Sequence, residues 1–157
     1  WNRVRWKNCA WPSRSDAPAT EAGSPPPVCD STMAKVFITL ASLSGMLAVM
    51  LGAFGAHGLK GRLDDYALGV FQTAVQYHFY HSFALLAVGI LALSQPQTAL
   101  LKSSGWLFRL GILVCSGSLY LLSITGVRWL GAVTPLGGLA FMAGWACLAA
   151  TGWKLLV

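Results

Sequence analysis

Charge is what this chain has least of. Only 10% of its 157 residues are Asp, Glu, Lys or Arg, where a soluble domain carries roughly 25%. So few charges cannot cover a globule in water, and lipid must do the covering. Acid is scarcest. Of five acidic residues, Asp16, Glu21 and Asp30 stand near the N-terminus, and Asp64 and Asp65 form a pair with none beyond it. The apolar runs therefore hold no carboxylate general base, and neither HExxH nor a Ser-His-Asp set occurs. The expectation is a protein that is not an enzyme. Cys9, Cys29, Cys115 and Cys147 include no CxxC pair, so no thiolate metal site is indicated. Cys115 and Cys147 read as small apolar packing residues. The net charge of +6 does not point to nucleic acid, because the basic residues form no stripe or helix face that would track a phosphate backbone.

What is present falls into two parts. Residues 1–32 hold five of the seven prolines and the run Gly23-Ser24-Pro25-Pro26-Pro27. Such a segment buries too little apolar surface to fold and reads as a disordered leader; it also lacks the apolar region of a signal peptide. The chain begins with Trp1, and Met33 stands directly before Ala34, Lys35 and a long apolar run. The reading is that Met33 is the native start and residues 1–32 are not native sequence; a genuine cytoplasmic tail is the alternative.

From residue 33 onward the pattern is an all-α bundle of four antiparallel transmembrane helices. Val36 to Ala56 is 21 residues without charge, about 31 Å of helix against a hydrocarbon core of about 30 Å. Asp64 and Asp65 suit the start of a second helix, where they accept from free N–H groups. No charged residue occurs from Tyr66 to Leu101, and Gln95-Pro96 reads as the helix stop. The second span is placed at 75–94, with 66–74 at the interface. The third runs 106–125, with Arg109 one turn inside and able to snorkel. The fourth runs 135–155, with Thr134 as N-cap and Pro135 first in the helix; a start at Leu130 would instead put Pro135 inside it. Ser44, Ala48, Gly52 and Ala56 in the first helix, and Ala140 and Gly144 in the fourth, form small-residue stripes for close packing. Lys35, Lys102, Arg109 and Lys154 lie on the side of the termini, against Lys60, Arg62 and Arg128 opposite. Four against three favours cytoplasmic termini.

The candidate site is polar. His57 follows the first span, and His78 and His81, three residues apart, begin the second on one helix face. By helical rise His78 falls about 6 Å and His81 about 10 Å inside the boundary. Gln72, Gln76 and Tyr80 form a second stripe on nearly the opposite face, which at depth calls for enclosure by helices, a partner subunit or water. Ionisable residues in a membrane are functional candidates by default. One reading has the histidines neutral and hydrogen-bonded to Ser118, Tyr120, Thr134 or carbonyls, with no cofactor. A second makes them a permeation path or a metal or haem site.

Gly52-Ala53-Phe54-Gly55-Ala56-His57-Gly58-Leu59, then Gln76-Tyr77-His78 with His81, Gly117-Ser118-Leu119-Tyr120 and Thr134-Pro135-Leu136-Gly137-Gly138 resemble the YgdD-like family of small multi-pass membrane proteins. That resemblance implies a short inner-membrane protein of uncharacterised activity starting near Met33, and supplies no catalytic residues. The expected role is a non-enzymatic accessory or interaction component; the alternative is a small transporter, channel or metal- or haem-binding protein using the histidines. The expected partners are the lipid bilayer and another membrane protein or a second copy of the chain. If Met33 is the start, mass spectrometry of the expressed protein will find no abundant peptides from residues 3–32; finding them refutes that start.

Overall fold

Hydrocarbon offers no hydrogen bonds to a backbone, so a chain that crosses it must satisfy every N–H and C=O internally, which a helix does. The computed structural model, which describes residues 32–94 and 98–156, is built this way. Its elements are α1 (Thr32–His57), α2 (Asp65–Ser94), α3 (Ala99–Gly111), a π-helical turn (Ile112–Ser116), α4 (Gly117–Thr125) and α5 (Leu130–Leu156). The segment α3, π-turn and α4 runs unbroken, so four helices are long and apolar enough to cross a membrane. The leader and the Gln95-Pro96 stop lie outside the described residues.

The connections are tight. After α1 the Gly58 N–H donates to Phe54 O at 2.7 Å, and Gly61, at φ +80°, turns the chain where only glycine sits without strain. Asp64 then caps α2, its Oδ1 accepting from the Ala67 N–H at 2.7 Å, as the acidic pair predicts. Gly126, at φ +70°, ends α4 with its N–H on Leu122 O, a left-handed helix stop.

Two helix starts differ from the sequence reading. α3 begins at Ala99 rather than near Trp106, because Leu101 and Ser104 already belong to its buried face. α5 begins at Leu130, so Pro135 is inside it and Thr134 is not an N-cap. The Leu130, Gly131 and Ala132 N–H groups donate to Val127, Arg128 and Trp129 carbonyls, starting the helix one turn early. Proline has no N–H, so the Gly131 carbonyl loses its helical donor.

Small residues set the spacing of the helices. α1 lies along α2 through Ala41, Ser44, Ala48 and Gly55, all buried; Ala56 turns outward, so Gly55 continues the stripe in its place. A Cβ on Gly55 would lie 2.9 Å from the Phe71 ring, one on Gly52 3.3 Å from Val75, and one on Gly89 2.8 Å from Ile38. These approaches fix an antiparallel register that sets Gly55 beside Phe71 and Ile38 beside Gly89. The apolar end of α1 at Ala56 is therefore level with Val70 and Phe71. His78 lies seven residues, about 10 Å, below that level by helical rise, deeper than the spacing count alone indicates.

On the other flank α5 packs along α3 and the π-turn. Gly144 accepts the Phe108 ring and Gly111 the Phe141 ring, and a Cβ on Gly137 would fall on the Cys115 backbone nitrogen. Phe37, Phe71, Leu85, Val88, Leu101 and Phe108 fill the interior. Gly137→Ala must push α5 off the π-turn and should lower unfolding stability in detergent by about 1–3 kcal/mol, the usual cost of overpacking. Gly138→Ala, with nothing within 4 Å of its Cβ, should leave the melting temperature unchanged or raised.

Candidate functional site

Helical geometry places residues four apart on one face, and α2 presents His78 and Ser82 together towards α1 and α4. Both are buried. Ser44 of α1 stands 3.0 Å from His78 Nε2, and the Tyr120 hydroxyl of α4 stands 3.3 Å from His78 Nδ1. Ser82 Oγ lies 2.8 Å from Ser44 Oγ and 2.8 Å from the carbonyl of His78. Three spans thus meet at one imidazole with both ring nitrogens occupied. Ser44 is eight residues from Val36 and twelve from Ala56, about 12 and 18 Å, so the network lies near the middle of the bilayer.

The protons of this network admit two arrangements. In one, Tyr120 O–H donates to Nδ1 and Nε2–H donates to Ser44. In the other tautomer Nδ1–H donates to the Tyr120 oxygen and Ser44 O–H donates to Nε2, which frees the phenol proton. Neither needs a charge, which a hydrocarbon setting disfavours. The Tyr120 link is the longest of the set and the weakest by geometry.

His81 belongs to a different environment. Its Nδ1–H donates to Tyr77 O at 2.7 Å, which leaves Nε2 as the bare nitrogen. Its ring lies flat on Phe141, with centroids 3.4 Å apart and planes 11° from parallel. Phe108 and Trp145 complete the cage. His78 therefore faces α1 and α4, while His81 faces α3 and α5.

The three histidines do not gather. His57 is exposed at the end of α1, and among the described residues no three His, Cys, Asp or Glu side chains come within reach of one metal ion. The shared face expected of His78 and His81 fails because 100° per residue sets them about 60° apart, enough to send each to a different neighbour. Ser118 and Thr134 also lie apart from the imidazoles, paired with each other at 2.8 Å. That pair joins α4 to α5: one hydroxyl donates to the other, and the acceptor donates within its own helix, Ser118 to Cys115 O or Thr134 to Leu130 O. Of the expected side-chain partners Tyr120 alone reaches a histidine, and the expected carbonyl is that of Tyr77, on His81. Gln76 and Tyr80 are exposed on the outward face of α2, enclosed by no described helix.

Some participants were not expected. Ser82 was legible as the residue one turn beyond His78, and Ser44 counted only as a small packing residue. Ser116, 1% exposed, is the buried side chain among the described residues whose hydroxyl lacks a partner. Serine in a membrane helix commonly donates to the carbonyl four residues back. In the π-turn the Ile112 carbonyl is taken by the Gly117 N–H, five residues on. Beside the network, a groove of about 340 Å³ runs between α1 and the π-turn with α4, with Ser44, His78, Arg109 and Tyr120 among its walls.

Comparison with known proteins bears on most of the chain. Residues 51–138 match the family model described as a protein of unknown function (DUF423). The chain is 48% identical over 122 residues to the UPF0382 membrane protein YwdK of Bacillus subtilis, covering 78% of this chain and 99% of that relative. It is 44% identical over 122 residues to a UPF0382 membrane protein of Staphylococcus haemolyticus, covering 78% and 98%. A Staphylococcus epidermidis relative is 46% identical over 114 residues, covering 73% and 92%. No solved structure matches.

Removing the His78 side chain leaves the Tyr120 hydroxyl without its partner and Ser44 with Ser82 alone. His78→Ala should cost about 1–3 kcal/mol of stability, the range for stranding buried polar groups, measured by thermal unfolding in detergent. Ser44→Ala combined with it should add less than its own single effect, as coupled neighbours do. His57→Ala, at an exposed position, should change nothing.

Proposed function

The chain belongs to the DUF423 family of membrane proteins, and from that premise we propose that it is a non-enzymatic accessory component of the bacterial plasma membrane that works by self-association. The observation that carries this reading is the outward stripe on α2. Gln72, Gln76 and Tyr80 are exposed, and Tyr80 remains 60% exposed although the register sets it nine residues, about 14 Å, below the level of Phe71. Polar side chains at that depth need partners.

A second copy supplies them naturally. Copies inserted the same way hold the stripe at the same depth, and a Gln amide carries both donor and acceptor. Two identical stripes related by a two-fold axis along the bilayer normal are self-complementary, and interhelical hydrogen bonds of this kind contribute about 0.6–2 kcal/mol each. The network at His78 fits the same role, since its donors and acceptors can satisfy one another without a metal or haem. A permeation path through His57, His78 and His81 has less support, because the three imidazoles face three directions. The basic residues Lys35, Lys102, Arg109 and Lys154 favour termini in the cytoplasm.

Cysteine cross-linking in native membranes tests the dimer. In a background with Cys9, Cys29, Cys115 and Cys147 replaced by Ala, Gln76→Cys and Tyr80→Cys should form covalent dimers on oxidation. Leu47→Cys, exposed on α1, should remain monomeric. Monomers at all three positions, or equal dimers at all three, would overturn the proposal.

A further inference from the structure

The groove between α1 and the third span opens to the bilayer on the face opposite the α2 stripe. Leu43, Leu47 and Leu113, which line it, are more than two-fifths exposed. The groove is not simply greasy. His78 and Ser44 are nearly covered and satisfy one another, so the accessible wall is largely leucine. One end carries the guanidinium residue Arg109.

Arg109 is the feature that needs explaining. A Cβ on Gly105 would sit 2.6 Å from the Phe37 ring, which sets Gly105 level with Phe37. Arg109 is then four residues, about 6 Å, deeper than Phe37. It is partly buried, and the one carboxylate in a described helix, Asp65, heads α2 at the end away from Lys102. No ion pair or side-chain hydrogen bond reaches its guanidinium among the described residues. Helical side chains lean towards the N-terminus of their helix, and that end of α3 carries Lys102. A guanidinium that follows this lean reaches towards the headgroups on the Lys35 and Lys102 side.

From that mouth the leucine wall descends past Leu43 to Leu47, which by helical rise lies about 16 Å below Val36 and so at the middle of the bilayer. Charge at the interface and an apolar trough leading inward reproduce the layout of a lipid in its leaflet. We propose that this groove is a binding site for one anionic phospholipid, with its phosphate on Arg109 and an acyl chain along Leu43, Leu47 and Leu113. A guanidinium suits the head, since its planar fork pairs with phosphate oxygens in two parallel hydrogen bonds. The volume of about 340 Å³ lies at the low end of ligand pockets, as expected for one chain held along a bundle wall.

Native mass spectrometry of the purified protein, exchanged into mixed phosphatidylglycerol and phosphatidylcholine, tests the site. Wild type should retain one phosphatidylglycerol about fivefold in preference to phosphatidylcholine, the factor that one basic residue near an anionic bilayer surface contributes. Arg109→Gln should bring the two lipids to parity, Arg109→Lys should keep the preference, and Leu47→Trp should fill the groove and lose the bound lipid. Melting curves of each variant establish that it is folded. Equal retention of both lipids by wild type, or no retained lipid, would overturn the site. So would a preference that survives Arg109→Gln, or one that Lys102→Gln abolishes, since the surface cations would then be responsible.

Discussion

One imidazole near the middle of the bilayer organises this bundle. His78 accepts or donates through both ring nitrogens, to Ser44 of α1 and Tyr120 of α4, while its carbonyl receives Ser82. Water is absent at that depth, so each of these groups must find its partner in the protein or strand a polar atom in hydrocarbon. Apolar packing between helices in lipid has little directional preference. A polar network has one satisfied geometry, so it selects a register among many that would pack equally well.

The other flank of the molecule is held by shape. α5 approaches the third span through Gly111, Gly137 and Gly144, with aromatic rings or backbone where side chains would otherwise stand. The closest approach falls on the π-turn, where an inserted residue widens the helix and offers its backbone to Gly137. His81 serves this flank as an aromatic surface, stacked on Phe141. The same residue type three positions apart therefore acts as a hydrogen-bonding centre on one side of α2 and as a packing plate on the other. Among the described residues the side chains of Arg109, Gln76 and Tyr80 find no hydrogen-bond partner, and the proposed contacts with lipid and with a second copy rest on them.

Much of the architecture was legible without coordinates. The scarcity of charge, the uncharged run from Val36 to Ala56 and the acidic pair at 64 and 65 define membrane helices and their ends, because desolvation of charge and backbone is a local cost that each segment meets alone. The small residues Ser44, Ala48 and Gly144 likewise announced close packing. Helix starts were less legible. Pro135 suits a first turn and is also tolerated inside a membrane helix, and only the hydrogen bonds of Leu130 to Ala132 decide between the two.

The sequence by itself determined that this is a membrane bundle of four spans with an unusual set of buried and half-buried polar residues, since hydropathy and helical rise depend on order along the chain. Only the tertiary structure decided which of those polar residues meet. The register that brings Ser44 and Tyr120 to His78, and Phe141 to His81, arises from how helices far apart in sequence pack. That pairing depends on the shapes of Gly55, Phe71 and Gly137 against their neighbours, and no spacing within a single helix encodes it.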